Sequence, residues 1–251
     1  MNYRSLVLAL CATLWLAPAA HALDLGGMLK AGSQALQAAT LSDADVKSLA
    51  DQACEQSDSE SKIAPAKDKY TKRMDKISKA LGTEIDGRKV NYKVYLTPDV
   101  NAWAMANGCI RVYSGLMDLM NDDEVIGVIG HEMGHVALGH TKKAMQTAYA
   151  VSAARTAAGS TNNGTVTTLA GSELGEFTES LINAQFSQSQ EKDADNFSFD
   201  LLTKKKLNRQ GLVTAFQKLE QLSGGNHSML SSHPASADRA KNIENRLAAE
   251  K

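Results

Sequence analysis

The ten residues at 131–140, HEMGHVALGH, constrain this chain more than any other stretch. Their neighbours Val125, Ile126, Val128, Ile129, Met133, Val136 and Leu138 are apolar nearly all round a helical wheel, so the helix reads as buried. A buried helix that carries His, Glu and His needs partners to offset their desolvation, and a metal ion supplies one. His131 and His135 are four residues apart, share a face and suit one tetrahedral Zn²⁺ per chain. Glu132 is turned about 100° from His131. That places it to take a proton from a water on the ion, as a general base. The competing reading, a charged surface helix, fits the apolar flanks poorly.

His140 poses a separate question. It lies five residues past His135, about 140° around a continuous helix. The zinc-protease spacing with a glycine three and a histidine six residues after the second histidine would need them at 138 and 141, which are Leu138 and Thr141. His140 reaches the metal only if the helix breaks at Gly139. Otherwise it is a helix-end histidine that faces the terminal carbonyls. The third ligand is then sought on another helix. QFSQSQEKDADNFSFD, 185–200, offers Glu191 and Asp195 four apart on one face. Glu191 could reach the metal, and Asp195 could accept a hydrogen bond from the far nitrogen of a ligand histidine. These acids could equally belong to a solvated face. Gly127, Gly130 and Gly134 each cost about 1 kcal/mol against alanine in a helix. They cluster within about 60° on the wheel, a smooth stripe that invites close approach of another helix.

Periodicity places the remaining elements. A helix is expected from Ser42 to about Ser57, and a second from Pro65 to Gly82, with Tyr70, Met74, Ile77 and Leu81 at helical spacing. Val90–Leu96, Val100–Ala106 and Cys109–Tyr113 read as strands, the last two joined by an Asn107–Gly108 turn, most simply as a small antiparallel sheet or meander. Asn121 to Glu124 caps the metal helix. Residues 157–175 read as a loop or lid, 176–206 as one long helix, 209–222 as another, and a last helix runs from after Pro234 to about Ala248.

MNYRSLVLALCATLWLAPAAHA, 1–22, has the order of a cleavable secretory signal peptide. Its apolar run is too short to span a bilayer. Lipidation at Cys11 is the less favoured alternative, because Leu10 stands where a small residue is wanted. A small-residue-rich segment follows at 23–40, and 41–251 is assigned to one domain. No later stretch reads as a transmembrane helix, so the expected location is the periplasm. Removing the leader leaves Cys54 and Cys109, which in an oxidising compartment predict one disulfide rather than two free thiols. A net charge of −1 gives no basic field for nucleic acid.

HEMGH at 131–135, EKDAD at 191–195 and SHPASADR at 232–239 together resemble the gluzincin metallopeptidases related to HtpX and the CAAX prenyl proteases. The similarity is greatest to secreted LoiP-like and BepA-like bacterial members and runs from about residue 40 to 245. It implies an α+β, mainly α-helical, zincin-like metallopeptidase domain with a small antiparallel sheet and an HExxH active-site helix. It implies zinc on His131, His135 and Glu191, Glu132 as general base and Asp195 behind the ligands. It also implies that His233 lies in the cleft and binds the oxyanion, with a gating role in a resting form as an added hypothesis. The sequence departs from its relatives in lacking a convincing lipobox, the membrane helices of HtpX-like proteins and the C-terminal repeats of BepA-like ones.

Asn101, Ala102, Trp103, Ala104, Met105 and Ala106 precede the metal helix and are expected to align an extended substrate by strand addition; the alternative is an ordinary core strand. The expected partners are unfolded or misfolded envelope proteins, with peripheral association with the outer membrane a further expectation. The favoured function is a zinc endopeptidase acting on damaged envelope proteins. The alternatives are a non-catalytic holdase for unfolded chains and a structural zinc protein.

Overall fold

The structure is a computed structural model and describes residues 41–159, 169, 171–222, 229–233 and 237–250. The expected leader at 1–22, the segment 23–40 and the middle of the expected loop at 157–175 lie outside these residues, and the described ends of that loop, 157–159 and 172–175, are helical. The helices are α1 (Asp43–Glu60), α2 (Lys69–Leu81), α3 (Ser114–Leu119), α4 (Asp122–Ala137), α5 (His140–Gly159), α6 (Ser172–Ile182), α7 (Gln188–Lys204), α8 (Gln210–Gln221), α9 (Met229–Ser232) and α10 (Ala237–Ala249). The strands are β1 (Glu84–Ile85), β2 (Arg88–Lys89), β3 (Asn91–Tyr95), β4 (Ala102–Ala104) and β5 (Cys109–Tyr113). The fold is α+β and mainly helical, as a zincin-like domain should be.

Local chemistry sets the helix starts. Ser42 caps α1 and Asn121 caps α4, each in a reciprocal capping box with the residue three positions on, Asp45 and Glu124. The second helix begins at Lys69 rather than Pro65. Asp68 accepts the Tyr70 N–H and becomes its cap, while Pro65 closes a turn with the Asp68 N–H. The expected single helix over 176–206 is two, α6 and α7. Ser187 caps α7 in a capping box with Gln190, so the chain restarts there. The short helices α3 and α9 and the β1–β2 hairpin carry too few residues to show a period.

The sheet corrects the antiparallel expectation. Its order is β3-β5-β4, with β3 parallel to β5 and β4 antiparallel to β5. The Asn107–Gly108 turn joins β4 to β5 as read from sequence, with Gly108 at φ 88°. A meander would put β4 in the middle. Instead the middle goes to β5, whose Cys109, Ile110, Arg111 and Val112 are all buried, and β4 is left on an edge beside α4. The strand expected over Val100–Ala106 is regular only at Ala102–Ala104.

Two joints hold the helices to this frame. The first ties α1 to β5. Cys54 and Cys109 form a disulfide. Beside it the buried Arg111 clasps Asp58 through Nε at 2.7 Å and Nη2 at 2.9 Å, and Lys93 and Tyr95 each reach the same carboxylate at 2.7 Å. The second joins α4 to α7 and α8 across the glycine stripe. A Cβ on Gly134 would stand 3.0 Å from Ala194 Cα, and one on Gly130 would stand 2.5 Å from Ser198 Oγ. One on Gly127 would stand 3.0 Å from Leu212 Cα. Ser198 Oγ uses the closeness to donate to the Gly127 carbonyl at 2.9 Å. The main core of Val125, Val128, Ile129, Met133, Phe199, Leu202 and Leu212 closes around this contact.

Two outcomes follow. Gly134→Val forces branched carbon against the Ala194 backbone, and a denaturant titration should show a loss of about 1–3 kcal/mol. The second concerns acid. Burial pushes the Asp58 carboxyl up, but the hydrogen bonds from Arg111, Lys93 and Tyr95 outweigh it and hold its pKa at about 2. The native pKa lies below the unfolded one, so the contribution is whole above pH ~4 and fades as pH falls toward 2. The stability gap between the metal-free parent and Asp58→Asn should narrow over that window, and a gap independent of pH would contradict it.

Candidate metal centre

His131 and His135 stand one turn apart on α4 with their Nε2 atoms 3.0 Å from each other, and both are fully buried. Across the glycine contact, Glu191 in the first turn of α7 brings Oε1 to 3.4 Å from His135 Nε2 and Oε2 to 3.5 Å from His131 Nε2. His233, just past α9, enters from the third side. Its Nδ1 lies 3.2 Å from His131 Nε2 and 3.0 Å from Glu191 Oε1. The donor atoms of these four residues all lie within 4.8 Å of one another. Ligands about 2.1 Å from one tetrahedral ion stand roughly 3.4 Å apart, so the spacing fits a single small cation. The chemistry fits as well. Burial pushes His135 down to about 4 and His131 well below its ordinary value, so both imidazoles are neutral as ligands must be. Glu191 is held strongly acidic; burial opposes this, but hydrogen bonds with His135 and His233 prevail.

The groups behind the donors fix their orientation. Asp195 Oδ1 accepts from His131 Nδ1 at 2.8 Å, which turns Nε2 toward the cluster. Asp195 is itself held by Arg239, through Nε at 2.8 Å and Nη2 at 2.6 Å. The third guanidinium nitrogen of Arg239 lies 2.8 Å from Glu191 Oε2, and its plane covers Phe216 with 4.3 Å to the ring centroid. Arg239 was not singled out in the sequence. It stands at the start of α10, on the face that buries Ala240 and Ile243, and a charged residue on an apolar face was the signal. His140 is not among the four clustered donors. The helix does break at Gly139, at φ +74°, but the break carries His140 Nδ1 to the far nitrogen of His135, 3.1 Å away, and not to terminal carbonyls.

Glu132 lies beside the cluster and points at no aligned hydrogen-bond partner through Oε1; His233 Nε2 is 3.4 Å away. Burial raises its carboxyl to about 7, against the pull of His233, Arg239 and a hydrogen bond with the Ala104 backbone. A carboxylate poised near neutrality is suited to accept and return a proton. Over it, Trp103, Ala104, Leu181, Ile182, Phe186 and His233 wall a cleft of about 20 Å³, room for one water. Phe186 stacks on the His135 ring at 3.9 Å between centroids.

Strand β4 borders that cleft. Asn101 O accepts from Tyr113 N–H and Met105 N–H donates to Cys109 O, so the backbone groups at Ala102 and Ala104 turn outward from the sheet. Trp103 and Met105 are buried in a second core with Tyr95 and Phe177, and Ala106 packs against it.

An HExxH helix crossed by a second helix that brings a glutamate defines the metallopeptidase class. The chain matches the model of peptidase family M48 over residues 67–247. It is 55% identical to metalloprotease LoiP of Escherichia coli (strain K12) over 91% of this chain and 90% of that protein. It is 53% identical to metalloprotease YcaL of the same strain, over 92% and 91%. A shorter match, 48% identical over 18% of this chain and 17% of its relative, is to protease HtpX of Thioalkalivibrio sulfidiphilus (strain HL-EbGR7). The chain belongs to peptidase family M48 and is a metalloendopeptidase.

Removing Arg239 tests how the centre stands without its ion. Arg239→Met leaves Asp195 buried without its guanidinium partner and Glu191 with His233 alone, and the metal-free protein should lose about 3–5 kcal/mol in denaturant. Loading with metal should recover part of that loss, because Glu191 gains the cation in place of the guanidinium.

Proposed function

We propose that this chain is a zinc endopeptidase of the periplasm that cleaves unfolded or damaged envelope proteins, with His131, His135 and Glu191 holding the zinc. The observation that carries the reading is the convergence of three buried donors next to Glu132, a buried carboxylate with a free oxygen facing a water-sized cleft. Zinc bound there supplies Lewis acidity, which polarises the scissile carbonyl and makes water a better nucleophile near neutral pH. Glu132 takes the proton of the attacking water and then passes it to the leaving amine nitrogen. Burial works against charge on His233, but the carboxylates of Glu132 and Glu191 outweigh it and raise its pKa. The raised pKa favours a proton on His233, which suits it to donate a hydrogen bond to the oxyanion. In the conformation described, His233 sits against the donors themselves, which suits a resting form in which it gates the site.

Extended, unfolded substrate suits the segment Asn101–Ala106, whose β4 is an edge strand of the sheet beside the Glu132 cleft and could align it by strand addition. Export is supported by the leader at 1–22 and by the Cys54–Cys109 disulfide, which persists in an oxidising compartment. Among the described residues, no helix is long and apolar enough to cross a membrane.

The decisive comparison is parent against Glu132→Gln on an unfolded protein such as casein. The substitution should lower kcat by about 10²–10⁴-fold while zinc content stays at one per chain, and a strong chelator should silence the parent. Full proteolysis by Glu132→Gln would sink the mechanism. Client binding without cleavage by the parent would instead favour a holdase.

A further inference from the structure

We propose that His140 is a positioning residue of the metal centre: its Nδ1 accepts the Nδ1–H of His135 and so fixes the tautomer and ring plane in which His135 presents Nε2 to the metal. The inference rests on the reading that His135 is a ligand and extends it to a residue that reading leaves without a role.

The proton count sets the direction of the bond. His135 Nε2 is the atom that faces the cluster, 3.0 Å from His131 Nε2 and 3.4 Å from Glu191 Oε1. To bind a cation it must carry no proton, so the single proton of the neutral ring sits on Nδ1. That proton points at His140 Nδ1, 3.1 Å away. His140 is then the acceptor and keeps its own proton on Nε2. The arrangement parallels the one on the other ligand, where Asp195 accepts from His131 Nδ1 at 2.8 Å. Each α4 histidine thus has one nitrogen for the metal and one for an outer acceptor. A ligand role for His140 does not fit, because its Nδ1 lies on the side of the His135 ring away from the donor cluster.

The backbone is built for this contact. Along an unbroken helix His140 would point about 140° away from His135. Gly139 at φ +74° ends α4 and starts α5 at His140 itself, which folds the imidazole back over the last turn. Phe186 covers one face of the His135 ring, with 3.9 Å between centroids, while His140 meets the ring edge-on at 5.1 Å. Packing and hydrogen bond together leave the His135 ring one orientation.

The test separates the hydrogen bond from the packing. Zinc affinity is measured by competition with a chromophoric chelator for the parent, His140→Phe and His140→Asn. Melting of the metal-free proteins is followed alongside to show that each folds. Phenylalanine keeps the ring and removes the acceptor. Asparagine loses volume, but its Oδ1 falls near the place of the histidine Nδ1. His140→Phe should bind zinc about 10–100-fold more weakly, and His140→Asn should recover most of the loss. X-ray absorption should count the same number of imidazole ligands in all three. Unchanged affinity in His140→Phe overturns the proposal, as does a His140→Asn protein as weak as His140→Phe. One fewer imidazole in both variants would make His140 a ligand and also overturn it. A parent that binds no zinc removes the metal reading and this one together, whereas a zinc-binding parent with an unaffected His140→Phe removes this one alone.

Discussion

The close crossing of α4 and α7 is the constraint on which the rest depends. Two histidines and a glutamate are buried almost completely, and each would be costly alone. They become tolerable because the helices approach until the donors share one small volume. That approach needs Gly130 and Gly134, where a side chain would run into Ser198 or the Ala194 backbone. Helix propensity is sacrificed at these positions, at about 1 kcal/mol each, and recovered as burial and as the hydrogen-bond partners that the centre's polar groups find in one another.

Around the crossing, every donor is braced by something outside it. Arg239 braces Asp195 and Glu191 together, so one buried cation serves both the carboxylate that faces the donors and the one that orients His131. His140 braces His135 from the end of the same helix. Glu132 is the exception: one of its oxygens lacks an aligned partner, and burial keeps its carboxyl near neutrality. A buried carboxyl whose pKa lies near neutrality is the one suited to proton transfer. The sheet adds the remaining wall. Arg111, Asp58 and the Cys54–Cys109 bridge lock α1 onto β5, and β5 in turn holds β4 at the edge of the cleft.

Much of this was legible in the chain. The capped apolar helix at 122–137, the glycine stripe, the cysteine pair and the turn at Asn107–Gly108 rest on local chemistry or on simple counting, and all four stand in the structure. Glu191 was legible as a candidate only, because an acid four residues from another acid reads equally well as a solvated face. The parallel pairing of β3 with β5 was not legible. Strand order depends on which strand the surrounding helices bury, and a five-residue segment records only its own faces. Arg239 was missed because one charged residue on the face that buries Ala240 and Ile243 signals burial without saying which acids it will meet.

The sequence by itself determined the chemistry of α4. His131, Glu132 and His135 hold their relation through the pitch of one helix, and apolar neighbours guarantee its burial. The partners of those residues were decided by tertiary structure alone. Glu191, His233 and Arg239 lie some fifty to one hundred residues away, and only the packing of α7 and α8 against α4, with α9 and α10 laid on α8, brings them within hydrogen-bonding range. Even His140, five residues from His135, belongs with them. Its place depends on one backbone torsion at Gly139, which a helical wheel cannot express, and on the His135 ring that the rest of the fold holds in place.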